Sequence, residues 1–151
     1  MAFSTGYLAD PSKVGSGERY GSVNIVLTAK TFEDNLLMGR FAKLDAGSLD
    51  NLDSSATPVI AGVVLRNAAS PVEDGGAVDS DLYSQVEYMR QGLVTVDVKT
   101  GDTPAQFGTV YADNVTALEY GKATTTALNN IETTAEFIEE VKTGVWLIRI
   151  K

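Results

Sequence analysis

The chain has 151 residues, 44% of them hydrophobic and 21% charged, enough for one domain that buries roughly 70% of its unfolded surface. Twelve Lys and Arg stand against 20 Asp and Glu, a formal charge of −8, and an acidic surface repels phosphate backbones, which argues against a nucleic-acid partner. With neither His nor Cys in the sequence, disulfides, imidazole and thiolate metal ligands, and Ser-His-Asp or Cys-His catalysis are excluded.

No apolar run approaches the ~18 residues that cross a bilayer, and the start, Met1-Ala2-Phe3-Ser4-Thr5-Gly6, lacks the basic region and apolar core of a signal peptide. The expectation is a protein made in a cytoplasm, with no membrane partner.

Residues 1–20 are rich in Gly and Ser, with isolated Phe3, Tyr7 and Tyr20 and no regular period. They are expected to form an extended N-terminal arm, followed by a single β domain over residues 21–151. The first alternation places Val23, Ile25, Leu27 and Ala29 on one face and Asn24, Thr28 and Lys30 on the other, as a half-buried strand requires. Leu36, Leu37, Met38, Phe41 and Leu44 surround Gly39, which fits a strand bent at glycine better than a short helix.

Residues 46–57 carry Asp, Ser, Asn and Gly, the composition of an exposed loop. Pro58-Val59-Ile60-Ala61-Gly62-Val63-Val64-Leu65 is the strongest core-strand candidate, a continuous apolar run rich in β-branched residues. A second loop is expected over residues 68–80. Residues 83–90 and 93–99 flank Gln91-Gly92 and read as a hairpin, with Val94, Val96 and Val98 on one face.

A short strand over residues 107–112 precedes turns at Asp113-Asn114 and Asn129-Asn130, around the Thr-rich residues 121–126. Residues 135–141 and 145–151 form a second hairpin about Lys142-Thr143-Gly144, with Trp146, Ile148 and Ile150 sharing a face. A helical turn around Glu136, Glu139 and Glu140 is the alternative, but the neighbouring Thr and β-branched residues favour the strand. No segment keeps a 3.6-residue stripe for three turns, so the fold class is all-β: a small antiparallel β-barrel or β-sandwich.

The candidate motifs reduce to ordinary structure. Gly15-Ser16-Gly17 with Gly21 lacks the helix that a phosphate loop needs, and a flexible arm is the better account. Asp45, Asp50 and Asp53 miss the EF-hand spacing for calcium, which favours a solvated turn. Asp79 with Asp81, and Glu139 with Glu140, are the carboxylate pairs a glycosidase would need, but adjacent acids arise readily among 20. Trp146 reads as a core anchor. These readings assign no catalytic residue, no metal and no cofactor.

Gly39-Arg40-Phe41 with Leu44-Asp45, Ile60-Ala61-Gly62-Val63-Val64, Arg90-Gln91-Gly92-Leu93-Val94 within residues 86–98, Phe107-Gly108-Thr109-Val110-Tyr111 and Gly144-Val145-Trp146-Leu147-Ile148-Arg149-Ile150 together resemble the capsid decoration, or structural cement, proteins of tailed bacteriophages. The resemblance runs from about Ser22 onward, and the two polar loops fit it poorly. It implies a non-enzymatic β subunit that binds the outer face of an expanded capsid at two-fold or three-fold positions and clamps neighbouring major capsid subunits. Phe3, Tyr7, Arg19 and Tyr20 are the expected capsid interface, on an arm that buries little at home. The expected partners are the major capsid protein and further copies of the chain, as a trimer in preference to a dimer. A phage tail, tube or adaptor protein is the alternative, and a carbohydrate-binding or hydrolytic domain ranks below both.

Overall fold

The computed structural model describes residues 16–17, 19–31, 36–55, 58–66, 77–78 and 85–151. Among them every regular element is a strand: β1 (Arg19–Lys30), β2 (Leu36–Leu37), β3 (Phe41–Asp45), β4 (Ser48–Asn51), β5 (Ile60–Val64), β6 (Ala77–Val78), β7 (Gln85–Asp97), β8 (Thr109–Ala112), β9 (Ala123–Thr124), β10 (Ile131–Lys142) and β11 (Val145–Ile150). The all-β expectation holds.

The long β7 is the spine. One edge carries β1, from Arg19 opposite Val94 to Lys30 opposite Gln85. The other edge carries β5 beside the first half, with Val63 opposite Met89, and β11 beside the second, from Val145 opposite Asp97 to Ile150 opposite Gly92. From β5 the sheet runs through β3 to β4, and β4 returns to β1 through a parallel pair, Lys30 with Ser48. That pair closes a ring of β1, β4, β3, β5 and β7. From β11 the sheet continues through β10 and β8 to β9, and a parallel bridge from Val98 to Ala123 brings β9 back against the end of β7.

Alternation of side chains across each strand fills both sides of this layout. Ala42, Leu49, Ala61, Val64, Val86 and Tyr88 pack together with Leu36 and Met38. The larger core gathers Phe41, Val63 and Met89 with Val94, Val96, Val110, Phe137 and Ile148. Neighbouring β5 residues thus serve different cores, Val63 one and Val64 the other, both fully buried. The core strand expected over residues 58–65 is present over the narrower range Ile60–Val64, and Val59 just ahead of it is 66% exposed.

The terminal hairpin is also confirmed, with Ala135 opposite Ile150 and Lys142 opposite Val145. Trp146 lies half-buried against the core, its ring edge-on to Phe137 at 5.6 Å and 79°, an aromatic pair worth about 0.5–1.5 kcal/mol beyond its buried area. Where one strand bent at Gly39 was expected, a turn there separates two strands of different sheets, β2 paired with β6 and β3 in the main sheet.

Four further expectations are corrected. Gln91-Gly92 is no turn: β7 runs straight through it. Gly92 there has φ +127°, and a Cβ would lie 2.1 Å from Asn24 Oδ1, so glycine lets β1 approach closely while β7 stays continuous. The inward face of β1 also differs. Irregularities between Tyr20 and Ile25 and between Ile25 and Val26 shift the register, so Val26 and Ala29 pack on the cores while Ile25 and Leu27 are 47% and 40% exposed.

The stretch 46–57 is only partly a loop. The chain turns at Ala46 and Gly47, then pairs back as β4, with Leu44 opposite Leu49; Leu49 and Leu52 are buried. Finally, the last residues assigned to the arm, Arg19 and Tyr20, are strand residues of β1. Gly17 is held by its N–H donating to Thr95 O (2.7 Å) and its carbonyl accepting from Arg66 N (2.9 Å). A Cβ at Gly17, whose φ is +78°, would strike Val64 O at 2.8 Å, which accounts for glycine in that clamp.

Candidate interaction surface

The predicted interface residues separate. Phe3 and Tyr7 lie outside the described residues. Arg19 is exposed on β1, opposite Val94. Tyr20, expected as an exposed anchor, is instead 5% exposed and packs with Ile138 and Leu147 in a small core of its own. Its apolar ring stabilises the β1–β7–β11 junction and is withdrawn from any partner.

The acidic candidates disperse as well. Asp53 is held by Lys43 Nζ at 2.6 Å, Asp50 accepts from Ser48 Oγ at 2.9 Å, and Asp45 is exposed. Asp79 and Asp81 lie outside the described residues. Glu139 and Glu140 are consecutive on β10, an arrangement that aims neighbouring side chains to opposite faces rather than across a shared substrate. Among the described residues no group of three or more Asp or Glu side chains is placed to hold a metal ion.

A groove of about 530 Å³ lies between residues 97–102 and the β10–β11 turn, lined by Arg40, Asp97, Lys122, Glu140 and Trp146 among others. Its charges face one another or nearby loops. Arg40 Nε stands 3.9 Å from Asp97 and Lys122 Nζ 2.9 Å from Glu119. Burial raises the Asp97 carboxyl above its ordinary value, with Arg40 and Lys122 opposing.

What stands out on the surface is a set of apolar side chains on rigid loops. Leu118 is 89% exposed, Leu128 76%, Phe107 62% and Val115 52%. Leu118 and Phe107 also hold left-handed backbones, φ +71° and +65°, a conformation bulky residues adopt only where their surroundings enforce it.

For residues 113–122 the enforcing contacts are explicit. Asp113 is fully buried, ion-paired to Lys99 Nζ at 2.8 Å, and accepts from Val115 N (3.1 Å) and Thr116 N (2.9 Å). Burial alone would raise its carboxyl, but the Lys99 bond and the two amides outweigh burial and hold it below its ordinary value. Lys99 Nζ also donates to Thr116 Oγ1 at 2.8 Å. Arg40 Nη1 then donates to Leu118 O (3.0 Å) and Tyr120 O (3.1 Å), gripping the backbone on both sides of Glu119. The loop carrying Leu128 joins in through Asn130 Oδ1, which accepts from Asn114 N at 3.2 Å.

This preorganised platform was missed by sequence reasoning. Asp113-Asn114 was legible as a turn, but a lone Leu between Ala117 and Glu119 carries no signal of exposure. It is fixed outward by contacts that sequence does not show, the grip of Arg40, 78 positions away, and the pairing of buried Asp113 with Lys99. The arrangement has no nucleophile–base pair; it offers rigid apolar contacts ringed by paired charges, which suits protein adhesion.

No curated protein matches the chain. Among solved structures it is similar to a chain of "The capsid of Myoviridae Phage XM1", with 33% identity, a TM-score of 0.82, and alignment over 100% of this chain and 98% of that one. The family model described as XM1 gp53 minor capsid protein matches residues 6–151. This match over nearly the whole length places the chain in the XM1 gp53 minor capsid protein family, whose description marks it as a phage capsid-associated structural protein.

Proposed function

We propose that the chain is a decoration, or cement, protein that binds the outer surface of a tailed-phage shell and stabilises contacts between major capsid subunits, with no enzymatic role. The observation that carries this is the platform around Leu118: an 89% exposed leucine on a left-handed backbone, fixed by Arg40 and by buried Asp113. Holding an apolar side chain in water on a rigid loop gains nothing for the isolated fold. It lowers the ordering cost of contact with a partner.

The mechanism is repeated modest contact. Each copy buries a small apolar patch, and engagement of several shell subunits at once raises avidity without a very tight single contact. Arg19 pairs with a shell carboxylate, and Phe3 and Tyr7 add aromatic contacts from the residues before Ser16. Copies associate as trimers in preference to dimers, matching a symmetric shell position.

The test is binding of the purified protein to expanded shells that lack it, followed by sedimentation and electron microscopy of the particles. Density at the outer surface between neighbouring capsid subunits is expected. Absence from shells, or density confined to tails, contradicts the proposal.

A further inference from the structure

The ring of strands is closed unevenly. β1 meets β4 through the pair Lys30–Ser48, because the β3–β4 hairpin turns at Ala46 and Gly47, both exposed, just beyond that pair. Gly47 faces open space. The stretch Ile25–Ala29 therefore runs past the turn, with one edge on β7, from Ile25 opposite Gln91 to Ala29 opposite Val86. Among the described residues nothing pairs with its other edge.

An open strand edge is a template for another chain, and proteins normally blunt it with charge, proline or a bulge within the exposed stretch. Ile25-Val26-Leu27-Thr28-Ala29 has neither a charge nor a proline; its one irregularity lies between Ile25 and Val26, and from Val26 to Ala29 the register with β7 is unbroken. Ile25 and Leu27, 47% and 40% exposed, add an apolar flank at every second residue. Together these are the requirements for strand addition: free backbone groups for affinity and alternate side chains for selection.

We propose that the Ile25–Ala29 edge of β1 accepts an extended, uncharged segment of a shell subunit as an added strand. This rests on the reading of the chain as a shell-binding protein. A second copy meeting the chain through this edge alone is the poorer occupant by area: a strand of roughly 17 Å with two half-exposed apolar side chains falls well short of the ~1,200 Å² that such an interface needs. A segment presented by a lattice that is already held elsewhere does not face that requirement.

The experiment compares amide hydrogen exchange of the free and shell-bound protein, together with the double variant I25K/L27K. Both side chains are half-exposed, and a thermal melt confirms that the variant folds. On wild-type binding the outward amides within residues 25–29 are expected to slow at least tenfold, and the variant to bind shells at least tenfold more weakly.

Three results overturn the proposal, and they are distinguishable. If wild-type protein binds shells while these amides exchange unchanged, or if the variant binds as wild type does, the edge is not the site. If protection appears in the free protein as its concentration rises, the occupant is a second copy. If the wild type does not bind shells at all, the shell-binding reading itself fails.

Discussion

Asp113 shows how one side chain can prepare a surface it never touches. Its carboxylate is fully buried, yet it joins Lys99, Val115 N and Thr116 N, and so fixes the loop that carries Leu118. Asp113→Ala is expected to destabilise the fold by about 2–3 kcal/mol in urea denaturation, less than the ~3–5 kcal/mol of a fully buried pair, because Lys99 keeps partial access to water. Leu118→Asp should do the opposite: a melting temperature within a few degrees of wild type, and shell binding weakened about tenfold, roughly 1.4 kcal/mol.

The carboxylates also set the pH response. Hydrogen bonding from Lys43 and Ser55 draws Asp53 down to about 2. Lys151 and Arg149 lower Glu136, and Asp113 and Glu119 are lowered despite burial, by Lys99 with loop amides and by Lys122 with Thr100. Each group is more acidic folded than unfolded, so its contribution is complete above the ordinary values of 3.8 and 4.5 and is lost as pH falls through the depressed ones. Asp97, raised by burial, runs the other way and softens the slope. Denaturation midpoints measured between pH 6 and pH 2 should fall steadily below about pH 4.5; a flat profile contradicts this assignment.

At the scale of elements, what was legible followed from local chemistry. The β-branched run at residues 58–65 and the turn at Thr143-Gly144 declare β5 and the β10–β11 hairpin, because period, composition and turn residues agree. Misreadings arose where a distant partner decides. Gln91-Gly92 looks like a turn, but its glycine answers to Asn24, whose Oδ1 accepts from Leu93 N at 3.2 Å and whose Nδ2 donates to Tyr20 O at 3.1 Å.

The face of β1 depends on irregularities of register that alternation cannot reveal, and Leu49 and Leu52 were hidden inside a polar stretch. Gly92→Ala tests the close approach at the centre of β7. The new Cβ meets Asn24 on a backbone with φ +127°, so a loss of about 2–3 kcal/mol is expected, together with faster amide exchange in β1. Unchanged stability would mean that the two strands have room to separate.

At the scale of the whole molecule, the −8 charge argued against a nucleic-acid partner, the absence of His and Cys removed imidazole and thiol chemistry from the choices, and the resemblance to capsid decoration proteins pointed to the phage capsid, where the family match places the chain. The interacting surface was far less legible. Of the residues first expected there, Tyr20 serves a core and Arg19 lies on β1. The apolar residues that face outward do so because of contacts between segments far apart in sequence. The ring through β7 carries such loops and, among the described residues, one open strand edge on a single sheet, the preorganisation that a repeated weak contact requires.

The most direct measurement is the temperature at which expanded shells rupture, taken with and without saturating protein. Cement binding predicts a clear rise with wild-type protein and a much smaller one with the Leu118→Asp variant at the same concentration. Shells that bind the protein and still rupture at an unaltered temperature would contradict the stabilising role.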